Sequence, residues 1–412
     1  MMPALSSSRQ TVISRMNMFA PPTLVSIGAQ DTAGTSLPRS AQLAGPSGLL
    51  PRQEVRKLVH RHALRASEFD ESQFQPASLD LRLGSKAYRV RASFLPGRHK
   101  TVQQQLEELQ PELISLEGDG AVLEKRGVYV IELQENLQLP KTIAAIANPK
   151  SSTGRLDIFT RLIADRSEVF DHVPGGYDGP LYAEVSPRSF RIKVRRGSRL
   201  NQIRFRRRNS MHEKHAYRPL ADHQLRTLHA KTRLVDGDEL NVRHGLVLRV
   251  ELGGIGPERL VGYRAQRHTD VIDVDRVGSY AVENFWELVR ARSDKRLILD
   301  PDEFYILASK EKLHIPRDHA AEMIPIAPEM GEFRVHYAGF FDPGFGLTEH
   351  GHPGSRGVLE VRSHEVPFIL EDGQMVGRLA FERMAEVPDG LYGQIGTSNY
   401  QGQELKLSKH FA

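Results

Sequence analysis

Cysteine is absent from this 412-residue chain. Its absence excludes disulfides, iron–sulfur clusters and thiolate-held zinc, including hydrolytic zinc sites in which cysteines stand beside a His-x-Glu. The 17 histidines show no HExxH spacing, so no protein-held metal, zinc included, is expected. Long apolar runs are missing too. None approaches the roughly 20 residues of a membrane-spanning helix, and no membrane partner is expected. Neither sign of charge prevails strongly: 56 basic against 51 acidic residues give a formal charge of +5. That excess is too small to argue for nucleic acid, but it suits an anionic small molecule. The remainder, 39% hydrophobic and 26% charged, describes a soluble protein, expected in the cytoplasm and long enough for two or three domains.

Residues 1–47 are rich in Ser, Pro, Ala and Gly without sustained periodicity, and they read as a disordered extension. From there the pattern sharpens. "PRQEVRKLVHRHAL" has helical spacing with Pro51 suited to the first turn. "ASLDLRLG" alternates like a half-buried strand closed by Gly84. Short strands with Gly/Pro punctuation then dominate, and the fold expected is mostly β, of sandwich or barrel type.

The second half repeats the first. "VYVIELQENLQLPKTIAA" returns as "FYILASKEKLHIPRDHAA", with Pro140 answering Pro316 at an offset of 316 − 140 = 176. Glu184 answers Glu360 at the same offset, and Asp171 answers Asp342 at 171. Two copies of one β fold in tandem are therefore expected, spanning 48–220 and 221–412.

"NPKSSTGRLDIF", residues 148–159, places two serines, a glycine and an arginine after an apolar run. Hydroxyls, exposed amides and a guanidinium form an anion cradle; a capped turn explains the same residues. The run "RFRRR" at 204–208 reads as a solvated or oligomer-facing strand edge, since it lacks the aromatic interleaving of a nucleic-acid site.

Together, "QPASLDLRLG", "PKSSTGRL", "ADR" at 164–166, "FDHVPGGYDGPLYAEV" and "YQGQ" at 400–403 resemble the dCTP deaminase family, in a tandem-duplicated long bacterial form. The family lies within the trimeric dUTPase-like superfamily, so the resemblance implies two tandem dUTPase-like β-barrel or sandwich (β-clip) domains. It also implies hydrolysis of dCTP to dUTP and ammonia, and a homo-oligomer built on trimers. One carboxylate, its pKa raised toward neutrality by burial, can move all the protons this reaction needs.

By resemblance that carboxylate is Glu184, with Ser151 and Arg155 helping to hold it and the water. Lys150 and Ser152 meet the triphosphate, which brings Mg²⁺ as its own chelate. Ala164, Arg166 and Tyr182 fall in the base- and sugar-binding motifs, and Asp171 matches the aspartate on the deoxyribose, with Asp178 its rival. In the second copy "SSTGR" becomes "APEMG", where Glu329 and Glu332 would repel phosphate. That copy is expected to be inactive and Glu360 vestigial. Its tail matches the family's lid through Tyr392, Tyr400 and Gln403, so the expected site is first-copy chemistry closed by the second-copy tail. A bifunctional deaminase/diphosphatase, a plain dUTPase and a non-catalytic nucleotide-binding protein are the alternatives.

Overall fold

The computed structural model describes residues 45–208, 219–236, 240–325, 333–336, 339–347, 354–363, 365–396 and 398–412. Residues 1–44 of the leader, Glu329 and Glu332 lie outside the described residues. The chain is mostly β, with few helices.

In the first half one sheet runs Gly48–Leu49, Asn201–Arg207, Ile143–Pro149, His172–Val173, and Leu79–Leu81 also pairs with Asn201–Arg207. The other sheet runs Glu112–Ser115, Leu83–Val90, Val128–Gln138, Asp178–Pro187, Ile158–Ala164. The second half repeats both. Leu246–Arg249, Met375–Arg383, His319–Pro325 and Phe340–Phe341 form one sheet; Trp286–Arg290, Leu260–Ala265, Phe304–Leu313, Ser355–Ser363 and Phe333–His336 form the other. The ladder keeps the offset: Gln202 faces Asn148, and 176 residues on, Arg378 faces Ile324.

The copies are not two separate barrels. The sheets form a ring, and one core cluster takes Phe190, Ile203 and Phe205 from the first half with Trp286, Phe304 and Ile306 from the second. Phe190 meets the Trp286 ring edge-on at 5.3 Å between centroids, and Ile192 pairs in parallel with Ile272. Joining the cores removes apolar faces that two independent barrels would leave in water, at about 25 cal/mol per Å².

Two local expectations change for the same reason. The helix forms at Arg52–His60 behind Pro51 as expected, but Gly84 does not end a strand. It sits inside Leu83–Val90, and Leu79, Asp80 and Leu81 are all buried, because that strand is covered on both faces.

The arginine run is likewise not a solvated edge. All seven residues of Asn201–Arg207 are buried. Arg206 pairs with Glu382 at 2.6 Å and Glu322 at 3.4 Å, Arg204 reaches Asp342, and Arg207 pairs with Glu54. Arginine serves here because its planar fork satisfies several acceptors at once inside an interface.

Candidate functional site

The first half contributes the cradle. The buried strand Ile143–Pro149 delivers Lys150 to the start of a single helical turn, Ser151–Gly154, with Arg155 at its end. Thr153 N and Gly154 N bond to Lys150 O, which closes the turn. Lys150 Nζ pairs with buried Asp80, whose Oδ1 has no protein partner. Both serines therefore sit where the chain turns out of the sheet, in a turn closed by backbone bonds without a side-chain cap at Lys150.

Facing it is the second half, not Glu184. A cleft of about 570 Å³, counting the space open to solvent, is lined by Lys150, Ser151 and Arg155 together with Phe340, Asp342, Glu360, Tyr392, Tyr400 and Gln403. A wider lobe of about 1510 Å³ shares Lys150, Ser151, Phe340, Asp342, Tyr392 and Tyr400 with it. That lobe adds Ser152, Arg199, Lys409 and His410. The narrow end thus brings carboxyls and aromatic rings beside Arg155, and the wide end is polar, with Lys150, Arg199 and Lys409 beside Asp80, Asp275 and Asp342.

Glu360 lies in Ser355–Ser363 opposite Ile306 and is 5% exposed. Burial pushes its carboxyl up to about 8, against the lowering influence of the nearby Arg155 charge. Burial also raises Asp342, opposed by Arg204, whose Nη2 donates to Asp342 Oδ1 at 2.8 Å.

The tail closes the cleft within the same chain. Arg155 Nη1 donates to Lys406 O at 2.9 Å, and Nη2 to Gln403 Oε1 at 3.0 Å. Its guanidinium lies 3.8 Å from the centre of the Tyr400 ring, a desolvated cation–π contact. Arg155 Nε has no protein partner. Ser408 Oγ donates to Ser152 O at 2.7 Å, and Phe411 packs on Phe285 and Trp286. Apolar anchoring at its far end is why this polar tail is ordered.

The other expected residues lie elsewhere. Glu184 accepts two bonds from Arg161, from Nη2 at 2.7 Å and Nε at 3.2 Å, and its buried Oε2 has no protein partner. Arg161 in turn covers the Phe170 ring at 3.5 Å. Tyr182 shares that side, packing with Val102, Leu106 and Val130. Ala164 sits in the ladder opposite Leu181, and Arg166 is exposed.

Asp171 is not the counterpart of Asp342. His172 pairs with Ile146, and Phe340 pairs with Glu322, where 322 − 146 = 176. The register therefore matches His172 to Phe340 and Pro174 to Asp342. Asp171 instead accepts from Leu162 N at 2.7 Å, and burial pushes it up to about 7. Asp178 pairs with Arg65 at 2.9 Å on the surface. Sequence reasoning missed Glu360 and Asp342 as cleft residues and did not single out Phe340, Asp80, Arg199, Lys409 or His410. Among the described residues no cluster of three or more His, Asp or Glu could hold a metal, and no helix is long and apolar enough to cross a membrane.

Two family models match. The 2'-deoxycytidine 5'-triphosphate deaminase N-terminal domain covers residues 46–209 and the corresponding C-terminal domain residues 221–411. A crystal structure titled as 2'-deoxycytidine 5'-triphosphate deaminase from Agrobacterium tumefaciens is 52% identical, with a TM-score of 0.77 over 82% of this chain and 99% of that one. A dCTP deaminase, dUMP-forming, from Persephonella marina is 26% identical over 160 residues, 38% of this chain and 82% of that protein. Its namesake from Streptomyces coelicolor is 28% identical over 158 residues, 38% and 78% of the two chains. The dUTP end product expected above does not match the name these two relatives carry.

Proposed function

The chain belongs to the dCTP deaminase family, and from that premise we propose that it deaminates dCTP in the composite cleft, with Glu360 rather than Glu184 moving the protons. One observation carries this reading: Ser151 and Arg155 of the first half line the same closed cleft as Glu360 of the second. Each half is read as a dUTPase-like copy, and one working cleft forms where the two copies dock.

The chemistry follows from the surroundings. The reaction adds water at C4 of cytosine and releases the amino group as ammonia. Glu360 takes a proton from the attacking water, passes one to N3, and supplies the proton with which ammonia leaves. A carboxyl held near neutrality can both accept and donate at working pH. Arg155 sets the charge beside it, while the Lys406 carbonyl, Gln403 and Tyr400 hold the guanidinium still. Ser151, at the lip shared by both lobes, orients the water. The triphosphate lies in the wide lobe against Lys150, Ser152, Arg199 and Lys409. Mg²⁺ enters with it as a phosphate chelate, screening charge.

A second reading rests on the dUMP-forming relatives: the same cleft also releases pyrophosphate. Ammonia and pyrophosphate followed together from dCTP and Mg²⁺ separate the two. Ammonia alone supports the monofunctional enzyme and both products the bifunctional one. Pyrophosphate from dUTP with no ammonia from dCTP overturns the proposal. A trimer-based homo-oligomer is part of this reading, and a monomer mass by light scattering would remove it; the cleft itself needs no partner chain.

A further inference from the structure

Arg204 entered the sequence reading only as one of four arginines at a strand end. It is 0% exposed, and its hydrogen bonds cross to the second half. Nη1 donates to Ala321 O at 3.0 Å, and Nη2 to Phe341 O at 3.0 Å and to Asp342 Oδ1 at 2.8 Å. The guanidinium lies 3.9 Å from the centre of the Phe340 ring. A buried charge is kept only where its geometry is nearly complete, and a planar fork stacked on a ring is an arrangement that lysine cannot reproduce.

What Arg204 holds matters for the substrate. Phe340 and Asp342 both line the narrow and the wide lobe. A nucleotide with its base beside Glu360 and its phosphates beside Lys150 therefore passes its sugar across them. A 2′-deoxynucleoside 5′-triphosphate has one free sugar hydroxyl, at C3′. A carboxyl oxygen accepts from a hydroxyl, and Arg204 engages Oδ1 of Asp342 at 2.8 Å. The geometry points to Arg204 as a positioning residue that, from the first half, aims Oδ2 of Asp342 at the sugar 3′-hydroxyl and pins Phe340 as the wall beside it. Sugar recognition is thereby completed only when the two copies dock. This inference rests on the reading that the cleft deaminates dCTP.

The test compares ammonia release from dCTP and from 2′,3′-dideoxycytidine triphosphate, measuring kcat and KM on the full-length chain. The parent is expected to prefer dCTP on the order of tenfold or more in kcat/KM, the worth of a buried hydrogen bond whose loss leaves its partner unsatisfied. Asp342→Asn and Arg204→Lys should each remove most of that preference, mainly through KM, and combining them should remove little more. Phe340→Leu, which removes the ring beneath the guanidinium without touching a charge, should reduce the preference in part. A preference that survives in both Arg204→Lys and Phe340→Leu overturns the role of Arg204. A parent that releases ammonia from dCTP without discriminating overturns the 3′-hydroxyl contact and leaves the deaminase reading standing. No ammonia from dCTP overturns that reading itself.

Discussion

The two halves share a topology and, on the proposed reading, divide the chemistry. The first keeps the serines and arginine, but its hairpin has Pro174 where the second has Asp342, and Arg161 neutralises its glutamate from the neighbouring strand. The second keeps Asp342, Glu360 and the tail, while "APEMG" stands in place of "SSTGR". On the proposed reading neither half acts alone. In a duplicated chain whose site lies between copies, one cleft needs one cradle and one carboxylate, so each half has retained what its face of that cleft requires.

Exchanging the two glutamates is the sharpest way to break this comparison. Glu360→Gln should lower ammonia release by roughly 10²–10⁴-fold, the usual worth of a general acid–base group. Glu184→Gln should leave the rate near that of the parent in the same assay. The opposite outcome would restore the first half as the catalytic copy.

Next in size is the seam. Arg206→Ala leaves buried Glu382 without its ion-pair partner, and losing one member of such a pair costs about 3–5 kcal/mol. Urea unfolding should show it as a lowered midpoint. An unchanged midpoint would mean that the halves dock without this contact.

The lid comes third. Tyr400→Leu removes the ring on Arg155, and a desolvated cation–π contact is worth about 2 kcal/mol. Deamination should fall by roughly 10- to 30-fold. An unaffected rate would make the tail a cover rather than a support for Arg155.

The smallest effect is a slope. The Glu360 carboxyl is raised from 4.5 to about 8 in the folded protein, so the folded state holds that proton more tightly than the unfolded chain. The associated stability is complete below about 4.5 and is lost as pH rises through about 8. Asp171, raised from 3.8 to about 7, acts with the same sign and finishes lower. Melting temperature should therefore decline between about pH 5 and 8. The decline should be shallower in Glu360→Gln and in Asp171→Asn, and unaltered slopes in both would place these carboxyls in wetter surroundings.

Much of the fold was legible because periodicity and repetition are local. The helix behind Pro51, the strands around Pro140 and Pro316 and the 176-residue offset all follow from residue order. The cradle was legible for the same reason: Lys150, Ser151, Ser152 and Arg155 are contiguous, and one turn brings them together. Tyr392, Tyr400 and Gln403 were found through the tail's resemblance to the family's lid. Their partner was not, since Glu184 and Glu360 occupy equivalent strands and only docking distinguishes them. The departure of "FDHVPGGYDG" from the second copy's "FFDPGFG" was the available signal.

The amino-acid sequence by itself determined that this protein would be a mostly β, twice-repeated chain with one intact anion cradle, because strand period, turn residues and motif contiguity act over a few neighbours. Only the tertiary structure decided which carboxylate meets that cradle. Arg155 and Glu360 lie 360 − 155 = 205 positions apart, and Arg204 and Asp342 lie 138 apart. Such pairs form where buried faces of the two halves exclude water together, and burial depends on docking rather than on residue order.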